Sequence, residues 1–265
     1  MSPQDSEIAL PPSLKIERRE GIAILRLARP EKRNALDDAT VLGVGAFFSN
    51  LPAEVKVVVL DAVGDNFSAG LDLSELTERD SVEGLAHSMM WHRVFEQIEF
   101  GRVPVVAVLR GAVVGGGLEL AAAAHIRVAE WSAYYALPEG KRGIFVGGGA
   151  AVRLPRLIGT ARMRDMMLTG RVYDAEEGHS IGISHYLVAN GEGLAKGLEL
   201  SRKIAANAPI TNFAVIQALP RIAEANPREG FLMEALMAAV SQDSDEAKER
   251  LRAFLEKRAK KVTEF

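Results

Sequence analysis

Cysteine is missing altogether from this sequence of 265 residues. Its absence excludes disulfide bonds, thiolate nucleophiles, and zinc or iron–sulfur centres with cysteine ligands. The five histidines offer no replacement, because none of them shows a metal-ligand spacing such as H-E-x-x-H. We therefore expect no metal. A chain without cysteine fits a reducing compartment, and we expect a cytoplasmic location.

Long apolar segments and an excess of positive charge are also lacking. The longest apolar run, Val103–Leu109, contains Pro104 and is much shorter than the ~18 residues of a membrane span. The N-terminal stretch 1–13 resembles neither a signal nor a transit peptide, and we expect a flexible tail there. Lys and Arg total 32 against 35 Asp and Glu, a net charge of −3. We therefore expect no nucleic-acid and no membrane partner.

Short β-branched stretches alternate with helical patterns in the first part of the chain. The predicted strands are Ile22–Leu27, Val55–Leu60, Val103–Leu109 and Ile126–Ala129. Between them, Asp37 or Asp38 could cap a helix that runs to about Asn50, and a second helical pattern runs from Val82 to Phe100. The second and third strands lack polar alternation, which indicates a parallel sheet covered on both faces. The alternation predicts an α/β fold.

Helical patterns dominate the last part of the chain. No convincing strand follows Val188, and three prolines divide the remaining helices. The last predicted helix, Asp245–Val262, carries an apolar strip that needs a packing partner, and its final turns hold basic residues. A second subunit is a reasonable candidate. The predicted divisions are a flexible tail at 1–13, an α/β core at 14–205 and a helical oligomerisation region at 206–265.

Two glycine-containing turns directly follow predicted strands. One is Phe67–Leu73, with the sequence FSAGLDL, and the other is Gly115–Leu120, with the sequence GGGLEL. Each turn alone is most simply explained as a strand-to-helix connection. Glycines at such a place let the backbone approach a ligand, and free N–H groups at a helix start favour negative charge. Two such turns facing each other would form an oxyanion hole.

Two glutamates are candidate catalytic residues. Glu119 lies in a predicted helix that is apolar on nearly every side, and a buried glutamate has a raised pKa that suits a general acid or base. A structural salt bridge is the alternative explanation. Glu139 follows one strand signal later in a Pro-Glu-Gly sequence, which by itself is an ordinary turn. Together in one cleft, the two carboxyl groups could hold a water or divide the roles of acid and base.

At Gly115–Ala121, the sequence GGGLELA is similar to the most specific motif of the enoyl-CoA hydratase/isomerase (crotonase) superfamily. The resemblance covers most of the chain. It includes a first CoA-contacting segment at Arg29–Leu36, an oxyanion turn at Phe67–Asp72, the second glutamate at Pro138–Glu139 and a C-terminal signature at Ala253–Arg258.

The resemblance implies hydration of a trans-2-enoyl-CoA to a 3-hydroxyacyl-CoA. The N–H groups of Leu71 and Gly116 would form the oxyanion hole. By resemblance, Glu119 activates the water for attack at the β-carbon, and Glu139 delivers a proton to the α-carbon. Hydratases of the family are characterised by both glutamates. No cofactor is implied, because CoA enters as part of the substrate.

The resemblance also implies a spiral of ββα units with a helical C-terminal trimerisation region. The expected assembly is a homo-trimer or a dimer of trimers. Lys257 matches a family lysine that approaches the ribose phosphate of a neighbouring subunit's CoA. The implied CoA-binding residues are Lys32, Arg33, Ala35, Ser68, Ala69, Gly70, Asp72, Leu73, Gly147 and Lys257.

The sequence departs from the family pattern at several positions. Arg110 and His125 stand where the family usually has Asn and Asp. The stretch 145–151 lacks the usual Gly-Gly-Thr and resembles a branch whose substrates are poorly indicated by sequence. We expect Leu73–Trp91 and Phe145–Val146 to line the acyl pocket, whereas packing is the more common role for a histidine such as His92.

Two alternative functions stay open at this point. An enoyl-CoA isomerase would also pass through a thioester enolate, but such enzymes usually keep one of the two glutamates. A non-catalytic binding protein could reuse the same fold. The presence of both glutamates and the net charge of −3 favour the hydratase.

Overall fold

The computed structural model describes residues 10–75 and 78–258. The strands are β1 (Leu14–Arg19), β2 (Ile22–Leu27), β3 (Val57–Ala62), β4 (Val105–Leu109), β5 (Ala112–Val114), β6 (Ile126–Glu130), β7 (Tyr134–Ala136), β8 (Tyr173–Asp174) and β9 (Tyr186–Val188). The α-helices are α1 (Asp38–Ser49), α2 (Ser81–Glu99), α3 (Gly116–Ala123), α4 (Ala150–Ile158), α5 (Thr160–Thr169), α6 (Ala175–Ser180), α7 (Gly193–Ala205), α8 (Pro209–Phe213), α9 (Leu219–Glu224), α10 (Pro227–Asp243) and α11 (Asp245–Leu255). Short 3₁₀ turns lie at Pro30–Lys32, Leu73–Glu75 and Pro138–Arg142, and a π-helical turn lies at Ala214–Ala218.

The larger sheet has the strand order β1-β2-β3-β4-β6-β9, in which β1 is antiparallel to β2 and the other pairs are parallel. Every residue of β3 and β4 is buried. Helix α7 covers one face, where Gly197 packs against Val108 and Val59, and the main hydrophobic core lies on the other. The predicted parallel strands with two covered faces are therefore confirmed, and their lack of polar alternation follows from this burial.

Consecutive ββα units build the molecule. In two consecutive units the first strand joins the larger sheet, the second joins a smaller sheet of order β5-β7-β8, and a helix follows. Strands β4 and β5 precede α3, and β6 and β7 precede α4. One unit earlier, β3 is followed by Ser68, which pairs in parallel with Val113 of the smaller sheet. The predicted α/β spiral of ββα units is thus confirmed.

The first two helices each begin directly after a residue that caps them. The Asp37 carboxylate accepts a hydrogen bond of 2.7 Å from Thr40 N, and α1 starts at the next residue, Asp38. Asp80 and Glu83 form a reciprocal capping box at the start of α2. Helix α2 is the longest helix of the described chain at 19 residues, and no helix within that part has the length and apolarity to cross a membrane.

The N-terminal segment packs against α1 in its described part. Ser13 is buried and its hydroxyl accepts a hydrogen bond of 2.7 Å from the Thr40 hydroxyl. A methyl group at Gly43 would lie 2.6 Å from Pro11, so the two segments are in close contact. Residues 10–13 are therefore held on the core, which the expectation of a flexible tail did not include, and residues 1–9 of that tail lie outside the described residues.

The C-terminal helices follow α7, whose last residue coincides with the predicted division at 205. Helix α11 ends at Leu255, seven residues before the predicted end at Val262, which lies outside the described residues. The cause is Lys257, whose φ of +56° is left-handed. With it, Lys257 N bonds to Phe254 O at 3.0 Å and Arg258 N bonds to Ala253 O at 2.8 Å, which is the Schellman pattern of a helix end.

Candidate active site

The spiral brings three separate turns to one edge of the smaller sheet. Val114 N donates to Ser68 O at 3.0 Å, and Gly115 N donates to Ala136 O at 2.9 Å. Ser68, β5 and β7 thus run parallel to one another in neighbouring positions of the smaller sheet. The turns that follow them therefore lie side by side. They open onto a cavity of about 450 Å³. Successive units thus supply the walls of one site.

Eight of the predicted site residues line this cavity. They are Ala69, Gly70, Leu71, Leu73, Gly116, Glu119, Glu139 and Gly147. Both glutamates and both predicted oxyanion donors are among them. The structure therefore brings together the catalytic set that the two glycine turns and the two glutamates suggested, and the roles of these residues are taken up under the proposed function.

Two backbone N–H groups form the candidate oxyanion hole. Gly70 O and Asp72 N, on either side of Leu71, bond to the backbone of Leu36. Because successive N–H groups of an extended chain point in opposite directions, Leu71 N is directed away from Leu36. Gly116 begins α3, so its N–H has no acceptor within the helix. A methyl group at Gly116 would lie 3.5 Å from Leu71 N, which shows how close the two segments are. Within the described residues, neither N–H donates a hydrogen bond.

Glu119 is held by backbone amides. It lies in the first turns of α3 with only 4% of its surface exposed, and its Oε1 accepts hydrogen bonds from Gly148 N at 2.8 Å and Ala150 N at 3.1 Å. Burial raises the pKa of Glu119, while the two amides and the charge of Arg153 act in the opposite direction. Burial outweighs these three contacts, so the net direction is upward, while the two amides fix the position of the carboxyl group.

Glu139 has a different environment in the same cavity. It lies in the 3₁₀ turn Pro138–Arg142, and its Oε2 is buried without a hydrogen-bond partner among the described residues. Burial raises the pKa of Glu139 to about 7, and the charge of Glu119 acts in the same direction. Its own backbone amide and Arg142 oppose this shift more weakly than burial drives it. At neutral pH, Glu139 is therefore poised between its acid and its carboxylate.

Each glutamate lies against a glycine that lets it approach the backbone. A methyl group at Gly148 would lie 2.8 Å from Glu119 Oε2, and one at Gly115 would lie 2.6 Å from Glu139 Oε1. Gly115 also has a φ of +52°, in the region that other residues rarely adopt. Both contacts are shorter than real Cβ atoms permit. A side chain at position 115 or 148 would therefore displace the carboxyl group that it meets, and glycine leaves room for both.

One face of α2 forms the wall beside these groups. Gly84, His87, Ser88 and Trp91 recur there at helical spacing and line the cavity. The indole of Trp91 lies directly against Gly116 and Gly148. His87 pairs with Asp38 of α1 at 2.8 Å. The sequence indicated that Leu73–Trp91 would line the pocket, but it did not single out Trp91 or His87, for which the helical spacing was the available signal.

The remaining predicted CoA contacts do not line the cavity. They are Lys32, Arg33, Ala35, Ser68, Asp72 and Lys257. Asp72 is buried and pairs with Arg29 at 2.7 Å and Lys32 at 3.0 Å. Hydrogen bonds from Ser74 and then Lys32 hold the pKa of Asp72 well below its usual range. In the structure, Asp72 therefore ties the end of the candidate oxyanion turn to Arg29 and Lys32, and its contact with CoA stays a prediction.

Arg110 and His125 have structural contacts away from the cavity. Arg110 Nη2 pairs with Asp61 at 2.7 Å, and its Nε lies 3.6 Å from Glu130. His125 Nδ1 accepts a hydrogen bond from Val105 N at 2.9 Å, and burial lowers its pKa to about 4. Both side chains therefore tie strands and helices of the core together. His92 likewise does not line the cavity; its Nε2 lies 3.5 Å from Ser88 Oγ.

Comparison with known proteins agrees with this geometry. The sequence profile of the enoyl-CoA hydratase/isomerase family matches residues 17–264. The chain belongs to this family. A crystal structure of a Rhodopseudomonas palustris protein described as a candidate enoyl-CoA hydratase is 60% identical, with a TM-score of 0.91 over 93% of this chain and 96% of that one.

Two curated relatives are similar over nearly their whole length. A short-chain-enoyl-CoA hydratase of Clostridium acetobutylicum is 29% identical over 246 residues, which are 92% of this chain and 94% of that protein. Enoyl-CoA hydratase EchA19 of Mycobacterium tuberculosis is 33% identical over 255 residues, 94% of this chain and 95% of that protein. The similarity therefore extends over nearly the whole of this chain and of both relatives.

Proposed function

We propose that this protein is an enoyl-CoA hydratase that adds water to a trans-2-enoyl-CoA and gives a 3-hydroxyacyl-CoA. One observation carries the proposal. Two buried glutamates, Glu119 and Glu139, line the same cavity as two backbone N–H groups that donate no hydrogen bond among the described residues. The names of the relatives support the same activity.

The thioester oxygen would accept hydrogen bonds from Leu71 N and Gly116 N. These donors stabilise the enolate oxygen that forms when water adds to the β-carbon. Loss of one such donor typically raises the activation free energy by about 3 kcal/mol. No acceptor within the described residues competes for them. The carbonyl is thus polarised by groups that need no rearrangement.

Each glutamate then has a proton to move. Glu119, held in place by Gly148 N and Ala150 N, acts in its ionised form and takes a proton from the water as the water oxygen bonds to the β-carbon. Glu139, whose raised pKa keeps a proton available near neutral pH, gives its proton to the α-carbon as the enolate collapses. The product carries one hydroxyl and one hydrogen more than the substrate, and proton exchange with solvent restores the two glutamates.

The setting of Glu139 favours hydration over the competing isomerisation. An isomerase moves a proton between two carbons and needs one general base, whereas addition of water needs both a base and an acid. Glu139 is buried in the same cavity as Glu119, and their charges interact. A non-catalytic binding protein has no use for this costly arrangement of two buried carboxyl groups.

A panel of enoyl-CoA thioesters that vary in chain length and branching tests the activity. Each thioester is incubated with the protein, and the product is scored by mass. We expect a gain of one water on at least one trans-2-enoyl-CoA, with no added metal or redox cofactor. Products with a shifted double bond and unchanged mass would instead assign the isomerase reaction, and no turnover on any thioester would contradict both.

The proposal includes a homo-trimer or a dimer of trimers in the cytoplasm. Large apolar side chains are exposed on the C-terminal helices of the single chain, namely Phe231, Leu232, Leu236, Leu251, Phe254 and Leu255. A neighbouring subunit would cover them. Light scattering should give the mass of three or six chains, and truncation after Pro227 should reduce it. A full-length chain with monomer mass would contradict this part of the proposal.

A further inference from the structure

The backbone of the stretch Phe145–Ala150 carries the two amides that bind the Glu119 carboxylate. Gly148 N donates to Glu119 Oε1 at 2.8 Å. Three glycines stand in a row at 147–149, which gives this backbone little stiffness of its own. Something else must therefore fix the amides if Glu119 is to be held in one position.

Helix α2 supplies one contact to this backbone. Ser88 Oγ donates to Gly147 O at 2.6 Å. A methyl group at Gly147 would lie 3.6 Å from Ser88 Oγ, an ordinary van der Waals distance. The bond grips the peptide unit between Gly147 and Gly148, and the N–H of that same unit binds Glu119. Ser88 therefore acts on the carbonyl end of the peptide whose amide end touches the carboxylate.

An arginine supplies the second contact. Arg153 is almost completely buried, and its Nη1 donates to Gly148 O at 3.0 Å. Its Nε pairs at 2.6 Å with Glu99, the last residue of α2. Ser88 and Glu99 lie three turns apart on one helix, roughly 16 Å at the ordinary rise. Two consecutive carbonyls, Gly147 O and Gly148 O, are thus tied to one rigid element.

We infer that Ser88 and the Arg153–Glu99 pair are positioning residues that hold the Gly147–Gly148 backbone in place for Glu119. None of the three donates a hydrogen bond to either catalytic carboxyl group. They act through the amides, and Arg153 also places a positive charge near Glu119. This inference rests on the proposed function where turnover is concerned, and on the structure alone where the position of Glu119 is concerned.

The test uses the full-length enzyme with Ser88→Ala, Ser88→Thr and Arg153→Met. We expect Ser88→Ala to lower kcat roughly 3- to 10-fold, the usual effect of one hydrogen bond, with Ser88→Thr close to wild type. Arg153→Met should lower kcat by at least ~10-fold, because its bonds are charge-assisted. Affinity for butyryl-CoA, a saturated thioester that cannot react, should be unchanged in Ser88→Ala.

Two control variants match these changes. Ser49→Ala removes a hydroxyl that bonds to Gln97 of α2 on the side away from the cavity, and Arg156→Met removes an arginine of α4 that pairs with Glu224. Neither residue lines the cavity. Both controls should keep kcat within about 2-fold of wild type. If Ser49→Ala lost as much as Ser88→Ala, general support of α2 would explain the effect and the positioning role would be overturned.

A readout without turnover separates this inference from the proposed function. Protein labelled with ¹³C at the glutamate Cδ gives a signal for Glu119, assigned by its loss in Glu119→Gln. Its pKa should move upward in Arg153→Met, since a nearby positive charge and a held amide are both lost. A Glu119 pKa that stays unchanged in Arg153→Met would overturn the inference, and it can be measured even in a protein that hydrates no thioester.

Discussion

The two glutamates of the cavity are the same residue type in opposite settings. Glu119 is reached by two backbone amides and lies near Arg153, so its charged form has partners. Glu139 has a buried oxygen without a partner among the described residues, and its pKa is raised to about 7. Burial raises the pKa of both groups, but the contacts around them differ in the way that the proposed roles of base and acid require.

The origin of this difference is local. Glu119 follows the start of α3 and faces the start of α4, where amides without helical acceptors are available. Glu139 lies within a short 3₁₀ turn, and among the described residues no donor reaches its Oε2. Glu119 therefore accepts hydrogen bonds from free amides, whereas the pKa of Glu139 is raised further by the negative charge of Glu119.

Glu119→Gln should produce the largest loss. The amide keeps the shape of the side chain but cannot accept the proton of water, and turnover should fall at least ~100-fold, the low end for loss of a general base. The affinity for butyryl-CoA should stay the same, since the oxyanion donors are untouched. Steady-state kinetics with binding by calorimetry measures both. A near wild-type rate would exclude Glu119 as the base.

Glu139→Gln tests the other half of the comparison. Hydration should again fall at least ~100-fold, because addition of water needs an acid as well as a base. Conversion of a 3-enoyl-CoA to a 2-enoyl-CoA, if present, should change little, since one carboxylate suffices for it. Both reactions are measured on the same preparation. If hydration survives in Glu139→Gln while it is lost in Glu119→Gln, Glu139 is not the acid and the two-glutamate mechanism is contradicted.

The pH dependence of stability distinguishes the two carboxyl groups without any substrate. The folded-state pKa of Glu139 lies above its ordinary value of 4.5, at about 7, so ionisation opposes folding. The contribution of Glu139 to the free energy of unfolding is complete below pH 4.5 and is lost as the pH rises through 7. It amounts to at most about 3 kcal/mol.

Denaturant titrations at fixed protein concentration measure this effect. The free energy of unfolding of wild type should fall relative to Glu139→Gln over that pH range, since the glutamine does not titrate. Parallel curves for the two proteins would mean that Glu139 has an ordinary pKa, and the proposed acid would lose its support.

The smallest effect concerns the C-terminal end of the chain. Lys257 follows α11 and is exposed in the single chain. If it meets the phosphate of a neighbouring subunit's CoA, Lys257→Ala should raise KM by up to about 5-fold and leave kcat at saturation unchanged. Lys248→Ala, which removes a lysine of the same helix paired with Asp243, is the control. An unchanged KM at low salt would contradict this contact.

The sequence predicted the parts of the fold that depend on long patterns. Strand β2 and helices α1 and α2 lie within a residue or two of their expected positions, because burial and capping leave clear periods and start signals. Strands β5 and β7 were missed, since three residues carry too short a pattern for either period. Strand β1 was missed because it contains four charged residues on an edge of the sheet.

For the site, the sequence predicted which groups meet but not how each is held. Glu119 stood out as a charge in an apolar helix, and the glycine turns indicated the oxyanion donors. The lack of a partner at Glu139 Oε2 and the two ties from α2 to Gly147 and Gly148 arise from contacts between residues far apart in the chain. A single sequence carries no periodic signal for such contacts.

The central claim is that this cavity adds water with both glutamates, and an isotope experiment tests it most directly. Crotonyl-CoA is incubated with the wild-type protein, once in H₂¹⁸O and once in D₂O, and the product is analysed by mass spectrometry and NMR. We predict one ¹⁸O at C3 and one deuterium at C2 of the 3-hydroxybutyryl-CoA formed, with both labels lost in Glu119→Gln and in Glu139→Gln. A wild-type product that contains no ¹⁸O would contradict the account.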